Sequence, residues 1–437
     1  MNIKEYIKII HNGNPLWFLD EVNHYEKQRR IADVLKMKNY LEGKHAIMNR
    51  GVEMYNNRPY ESRKVMLQYA KLIANLETSY LLKNPVTIVG KEELSERFKR
   101  VYKEGSFNKS DYELLSRLIK FGDSYEYIYI DNDKIKSKVI ESENAFPIYN
   151  ETLEMIAFVE AFEALESDFY IIYYPEKVEK WSNIGGNDLR RIDRYNNVSG
   201  LPIHYRNDNE LDKVFGKSDL ADFLNIIDNM EDLLSKFSDS FYKFHNPIPV
   251  VIGQQLKGEG INQNLVGEGL VLDDGSDFKM VSNSVNEKAF ETIYKTLKQE
   301  LLNISSTPAV SLNNTDVSNL SEVSMKLLFT LSDMKASMNE RFLRNGFEKR
   351  FEIIERLLDL QGKTVEGQNI HDLDLVFHYA RPINEKDVID NLKSLSEMGA
   401  ISKETIIDLA PLLQQSSHEE LRKINAENSR ESNLVVE

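Results

Sequence analysis

Apolar residues recur at alternating steps of three and four along residues 218–245, and this spacing predicts one long amphipathic helix. A helix of this length extends about 40 Å, and Ser218 is its predicted N-cap. Because the apolar positions form one narrow seam, we expect side-by-side packing with neighbouring helices, although an ordinary bundle helix would show the same seam. The predicted packing residues are Leu220, Phe223, Ile227, Met230, Leu234, Phe237, Phe241 and Phe244.

A small β-rich segment and two further helices follow this first long helix. Short apolar runs at 248–252, 270–272 and 278–281, separated by glycines, predict two or three strands that are too few to fold alone. A second helix is predicted at 286–304, and a polar loop at 305–318 leads into a third helix from about 319 to 360. Gly346 lowers helix stability and predicts a kink in this third helix.

The remaining segments predict a mixture of helices and antiparallel strands. Residues 1–85 read as largely helical, with periodic runs at 22–41 and 62–82. A tyrosine-rich strand at 124–130, ending in a turn at 131–133, opens an antiparallel meander. The predicted elements that complete the chain are a strand at 86–90, helices at 92–104 and 109–121, a strand at 374–379, and C-terminal helices at 385–398, 403–413 and 417–428. The fold class is therefore α+β.

Charge and cysteine content narrow the functions that the chain can have. Its 437 residues carry a formal net charge of -15 and contain no cysteine. A protein that grips duplex DNA normally has a basic surplus, so contact with DNA should be loose. Disulfides, thiolate metal sites and cysteine nucleophiles are excluded. Because no signal peptide or long apolar span is visible, we expect synthesis in the cytoplasm and no membrane partner.

No motif in the chain assembles a catalytic, metal or cofactor site. Gly216-Lys217-Ser218 resembles part of a phosphate-binding loop, but Leu211 stands where that motif needs glycine. The eight histidines are scattered without metal-ligand spacing, and the acidic turn at 273–277 lacks the EF-hand pattern. We therefore expect no catalytic residues, no metal and no cofactor, and an enzyme becomes a less favoured interpretation.

Several short segments share their order and spacing with one protein family. They are residues 80–86 (YLLKNPV), 216–220 (GKSDL) with 226–229 (IIDN), 307–308 (TP) followed by 319–321 (NLS), 381–385 (RPINE), 399–405 (GAISKET) and 419–421 (EEL). Over nearly its full length the chain resembles the portal proteins of long-tailed bacteriophages. The family often has Ser-Gly-x-Ala shortly after the asparagine that corresponds to Asn319. This chain has Ser321-Glu322-Val323-Ser324 there instead.

The resemblance implies a mainly α portal fold, assembled as a ring of about twelve copies at one capsid vertex of the virion. Double-stranded DNA would pass through the axial channel, without sequence specificity, during packaging and ejection. The expected partners are the terminase large subunit, a head–tail adaptor, and the major capsid and scaffold proteins, and the host bacterial cytoplasm would be the place of synthesis. The implied divisions are wing at 1–216 and 319–383, stem helices at 217–246 and 285–304, clip at 247–284, tunnel loop at 305–318 and crown at 384–437.

The tunnel loop is the expected point of contact with DNA. Asn313, Asn314, Thr315 and Ser318 offer weak hydrogen bonds to phosphate, whereas Asp316 repels it. A negative conduit would let a moving polyanion slide, because like charge weakens binding. A plain surface connector is the alternative interpretation of this loop.

Two other classes of protein remain open at this stage. A non-portal structural or scaffold protein of a phage-derived particle would share the helices but need no open channel. An unrecognised enzyme would be a monomer or small oligomer with a concave pocket. Only the portal requires a closed ring around a hole of roughly 20 Å or more, the width of duplex DNA.

Overall fold

The computed structural model of the chain describes residues 1–55, 58–244, 248–253, 274–281, 287–308, 322–363, 369–382, 385–409 and 420–426. Helices dominate both ends of the chain, and strands fill its middle. The α-helices are α1 (Ile3–Ile10), α2 (Trp17–Val22), α3 (Tyr25–Leu41), α4 (Tyr69–Leu82), α5 (Glu92–Gly105), α6 (Phe107–Phe121), α7 (Leu224–Phe244), α8 (Glu287–Ile304), α9 (Glu322–Leu360), α10 (Glu385–Glu397) and α11 (Lys403–Leu409).

Within the described residues the strands pair only in antiparallel fashion, as expected for the predicted meander. They are β1 (Val52–Tyr55), β2 (Arg58–Glu61), β3 (Thr87–Val89), β4 (Asp123–Asp131), β5 (Lys134–Ile140), β6 (Ala145–Tyr149), β7 (Met155–Ala164), β8 (Ser167–Tyr173), β9 (Lys177–Ser182), β10 (Arg190–Asn196), β11 (Ile203–Arg206), β12 (Ile248–Ile252), β13 (Asp277–Val281) and β14 (Asp374–Val376). The larger sheets have the orders β10-β9-β8-β7-β6 and β11-β4-β5. The predicted turn between β4 and β5 is confirmed, with Asn132 and Asp133 both at positive φ, the geometry that a tight hairpin requires.

The main core lies between α4, α5, α6 and the second half of α9. One cation, Arg350, is fully buried in it and donates to the Asp111 Oδ1 at 2.5 Å and the Glu126 Oε2 at 2.9 Å. Burial raises the pKa of Asp111 to about 6, although the guanidinium opposes this shift. A second core packs α2 and α3 on the five-stranded sheet, and a third lies between the two large sheets.

The first long helix begins later than predicted. Residues Asp219–Asp222 form a 3-10 turn, and the α-helix starts at Leu224, because Phe223 at φ -129° and ψ -2° interrupts the regular geometry. The Ser218 hydroxyl accepts from the Leu220 N–H at 3.3 Å, so this residue caps the 3-10 turn and not the α-helix.

The third long helix is confirmed as α9, which stays helical through Gly346 over its 39 residues, and the kink at this residue stays a prediction. A Cβ at Gly346 would lie 2.0 Å from the Cε1 of Tyr205 on β11. Glycine is therefore needed at this position for the close approach of helix and strand.

One other region differs from the sequence-based expectation. The N-terminal region is not helical throughout, since β1 and β2 form a hairpin and α4 begins only at Tyr69. The strands predicted at 248–252 and 278–281 are confirmed as the antiparallel pair β12–β13. The apolar run at 270–272, the start of the helix predicted at 417–428 and the end of the chain lie outside the described residues.

Candidate functional site

The predicted tunnel-loop residues Asn313, Asn314, Thr315, Asp316 and Ser318 lie outside the described residues. The structure describes the beginning of the loop, residues 305–308 after α8, and the helix α9 from Glu322 onward. The candidate site is therefore built from the foot of the loop and from the helices that hold it.

The end of α8 turns sharply into the loop. Ser306 has φ 53°, the Ser306 N–H donates to the Asn303 carbonyl at 3.2 Å, and the Thr307 N–H donates to the Leu302 carbonyl at 3.0 Å. These two bonds with a left-handed residue between them form a Schellman motif, which satisfies the last carbonyls of the helix. The Ser332 hydroxyl of α9 then donates to the Ser306 carbonyl at 2.6 Å. The foot of the loop, residues 305–308, is thus held both by the end of α8 and by α9.

An acidic pair holds a lysine where the 3-10 turn Asp219–Asp222, α4 and α9 meet. The Lys335 Nζ lies 2.9 Å from the Asp219 Oδ2 and 3.9 Å from the Glu77 Oε1. The Asn339 amide donates to the same Glu77 oxygen at 2.7 Å. Burial, reinforced by the Asp219 carboxylate, raises the pKa of Glu77 to about 8. At neutral pH the cluster therefore holds a proton on Glu77, because two adjacent buried carboxylates resist simultaneous ionisation.

A second polar cluster lies next to the first on α9, two residues nearer to the loop. The Tyr80 hydroxyl of α4 donates to the Asp333 Oδ1 at 2.5 Å, and Arg381 forms an ion pair with the other oxygen of Asp333. Burial is the largest cause that raises the pKa of Tyr80, so this phenol stays protonated and remains a donor. The long helix is tied to two separate segments through one carboxylate.

A cavity of about 250 Å³ lies beneath the foot of the loop. Pro308 borders it on the loop side, Tyr80 on α4, and Phe329 and Ala336 on α9. The foot of the loop therefore borders open space on its inner side, while its hydrogen bonds keep it in place.

The residues of the predicted stem seam lie in different surroundings. Leu220, Phe223, Ile227 and Met230 are buried in the main core of their own chain. Leu234 and Phe237 are half-buried. The Phe237 ring stacks on Phe290 of α8 with the centroids 3.8 Å apart. The side chains of Phe241 and Phe244 lie outside the described residues.

A second face of α7 carries a polar ladder that sequence reasoning missed. Glu231, Ser235 and Asp239 accept hydrogen bonds from the backbone N–H groups of Leu67, Val65 and Arg63 at 2.8, 3.0 and 2.7 Å. Alternate residues of an extended strand are about 6.6 Å apart, and residues four apart on a helix are about 6 Å apart. Because the two repeats match, residues 63–67 lie along α7.

A close backbone crossing lies just before the 3-10 turn that leads into α7. A Cβ at Gly216 would lie 2.0 Å from the Gly122 carbonyl oxygen, and the Gly216 N–H donates to the Asp123 Oδ1 at 2.9 Å. The glycine before Lys217-Ser218 therefore serves chain packing.

The described residues lack both a metal-binding cluster and a membrane-spanning helix. They contain no group of three or more histidine, aspartate or glutamate side chains that could hold a metal ion. None of the helices in the same part of the chain has both the length and the apolar content for a membrane span.

Four of the segments that carry the family resemblance meet around one stretch of α9. Tyr80, Asp219, Pro308 and Arg381 come from separate parts of the chain and lie against residues 329–339. This shared neighbourhood, and no single motif, defines the candidate site.

Comparisons with known proteins give the family. A family model described as "Phage portal protein, SPP1 Gp6-like" matches residues 20–434. The portal protein of Bacillus phage SPP1 is 22% identical over 451 residues, which cover 96% of this chain and 85% of that protein. The neck of an empty GTA particle, computed with C6 symmetry, aligns with 13% identity and a TM-score of 0.47 over 78% of this chain and 88% of that one. The virion of a native gene transfer agent particle aligns with 10% identity and a TM-score of 0.47 over 87% and 93%. On the family match, the chain belongs to the phage portal protein family, in its SPP1 Gp6-like group.

Proposed function

We propose that this chain assembles into a closed ring at one capsid vertex, and that DNA enters and leaves the capsid through its axial channel. The observation that carries the proposal is the family match over residues 20–434. The net charge of -15 supports it, because a negative conduit does not hold a moving polyanion. The role is that of a structural conduit without chemistry of its own.

We assign the parts of the ring subunit as follows. The wing comprises residues 1–216 and 319–383, the stem helices 217–246 and 285–304, and the crown 384–437. The clip at 247–284 is the docking surface for the terminase large subunit and the head–tail adaptor. The described pairing of α7 with α8 through Phe237 and Phe290 supports treating the two stem helices as one unit.

Electron microscopy of the purified protein, combined with mass determination, tests the ring. We expect rings of about twelve copies around a hole of roughly 20 Å or more, wide enough for duplex DNA. A particle built from this chain without an open channel would favour the alternative, a non-portal structural or scaffold protein. A compact dimer or tetramer would contradict both.

The tunnel loop at 305–318 is our proposed DNA contact. Its foot is anchored by Ser332, while Asn313 and Asn314 would offer neutral hydrogen bonds to the backbone phosphates. Replacing both asparagines with lysine adds two positive charges and should slow DNA translocation, and the slowing should weaken as salt rises. In vitro packaging measures this effect, and the matched change of both residues to glutamine should package normally. Equal packaging by the two variants would contradict the contact.

A further inference from the structure

The outer face of the first half of α9 is apolar and exposed. Val323, Leu327, Leu331, Met334 and Met338 follow one another at steps of four, four, three and four, so they lie along one side of the helix. Leu327 is 72% exposed and Met334 is 61% exposed. We refer to these five residues as the α9 stripe.

The same face becomes polar in the second half of the helix. Continuing at the same spacing, the next exposed positions are Arg341, Asn345, Glu348, Glu352 and Arg356. Scattered surface leucines are common in proteins, but an apolar half and a polar half on one continuous face are not expected by chance. The face therefore changes from apolar to polar at residues 338–341.

The area of the stripe approaches one side of a standard protein interface. Together with the adjoining Leu328, its side chains expose on the order of 600 Å², at the upper end of the apolar patches of monomeric proteins. A standard interface buries about 800 Å² on each partner. No described residue covers this face, whereas Met325, Phe329 and Ala336 on the inner side of the same turns are buried.

We propose that the α9 stripe is the surface by which one subunit packs against the next copy of this chain in the ring. The inference rests on the ring proposed above. The stripe begins directly after the tunnel loop, so in that ring it lies near the channel, where each subunit is flanked on both sides by copies of itself. In a rotational ring the contact is heterologous, and the stripe meets a different face of its neighbour.

Single cysteines test this packing directly, because the chain contains none of its own. Met334→Cys places a thiol on the stripe, and Asn345→Cys places a matched thiol on the same face beyond it. In assembled rings we expect a maleimide to react at least ~10-fold more slowly at position 334 than at 345. In unassembled subunits the two rates should be similar. Equal rates in rings would overturn the inference, and so would protection of position 334 in unassembled subunits, because residues of the same chain would then cover the stripe.

A charge substitution tests whether the stripe is needed for assembly. Leu327→Glu with Leu331→Glu should lower the yield of rings at least ~10-fold while the circular dichroism and the unfolding midpoint of the subunit stay unchanged. The matched control is Arg341→Glu with Asn345→Glu, which has the same spacing on the polar half and should assemble normally. Rings from the leucine variant would overturn the inference and leave the ring itself in place. Equal loss of rings in both variants would also overturn it, and a wild-type chain without rings would overturn the proposed function.

Discussion

Replacing Gly346 with alanine should destabilise the subunit, although alanine is the better helix former. The three atoms nearest to the added methyl group all belong to the Tyr205 ring, at 2.0, 2.4 and 2.6 Å. Tyr205 is fully buried, and its hydroxyl donates to the Glu126 Oε2 at 2.7 Å. That carboxylate also accepts from Arg350. The ring therefore cannot move without disturbing the buried ion cluster.

Two opposing effects set the size of the loss. Alanine gains up to about 1 kcal/mol over glycine in a helix interior. An extra carbon in a packed core costs about 1–3 kcal/mol, and more where the backbone must shift. Because contacts near 2 Å lie far inside van der Waals distance and involve a rigid ring, the steric cost dominates. We expect a net loss of about 2–4 kcal/mol in the free energy of unfolding.

Urea denaturation followed by circular dichroism measures this loss. The matched control is Asn345→Ala on the exposed face one residue earlier, where only the helix propensity changes and stability should stay within about 0.5 kcal/mol. A Gly346→Ala subunit that is as stable as the wild type would refute the packing argument.

Three further substitutions address the polar clusters. Glu77 keeps its proton in the folded chain up to about pH 8 but releases it at lower pH when the chain is unfolded. The free energy of unfolding should therefore fall as pH rises from about 4.5 to 8, by at most about 1.4 kcal/mol per pH unit. Glu77→Gln should reduce this slope in urea titrations at several pH values. Arg350→Met should cost about 3–5 kcal/mol in the same assay, because two buried carboxylates lose their cation. Asp239→Ala should cost about 1–3 kcal/mol and speed hydrogen exchange of the backbone at 60–67.

Each of these substitutions has a control within the chain. Adding Asp111→Asn and Glu126→Gln to the Arg350→Met variant should recover stability, and a further loss would show that lost packing, not charge, was responsible. Lys236→Ala, on the exposed side of α7, should leave hydrogen exchange at 60–67 unchanged. For Glu77, a slope that glutamine does not alter would place the titrating group elsewhere.

The sequence predicted the existence and order of most elements, but not what each face contacts. The three-four spacing of the stem seam located α7 within a few residues. The same spacing arises whether a helix packs on its own chain or on a neighbour, and Leu220, Phe223, Ile227 and Met230 prove to be core residues of their own subunit. The surface left open for a neighbour lies on α9, where leucine and methionine also read as ordinary helix formers.

The candidate site was harder to predict because it depends on contacts between distant parts of the chain. The ion pairs of Lys335 with Glu77 and Asp219 could not be predicted, because the two carboxylates come from two other elements. Gly346 is read correctly only when Tyr205 is known to lie against it. The ladder on α7 uses backbone N–H groups as donors, and these leave no trace in side-chain patterns.

The two sides of α9 near the loop provide different kinds of contact, and this difference suits a subunit that folds before it assembles. Inward, Ser332, Asp333 and Lys335 make directional hydrogen bonds and ion pairs that fix the rotation of the helix and the foot of the loop at 305–308. Outward, the stripe offers flexible methionines and leucines, whose contacts are weakly directional and tolerate small changes in packing angle. If the neighbour covers the stripe, the foot of the loop keeps its position within each subunit while the contacts between neighbours in the proposed ring adjust. The geometry of that foot then depends on the single chain, and the width of the proposed channel depends on the assembly.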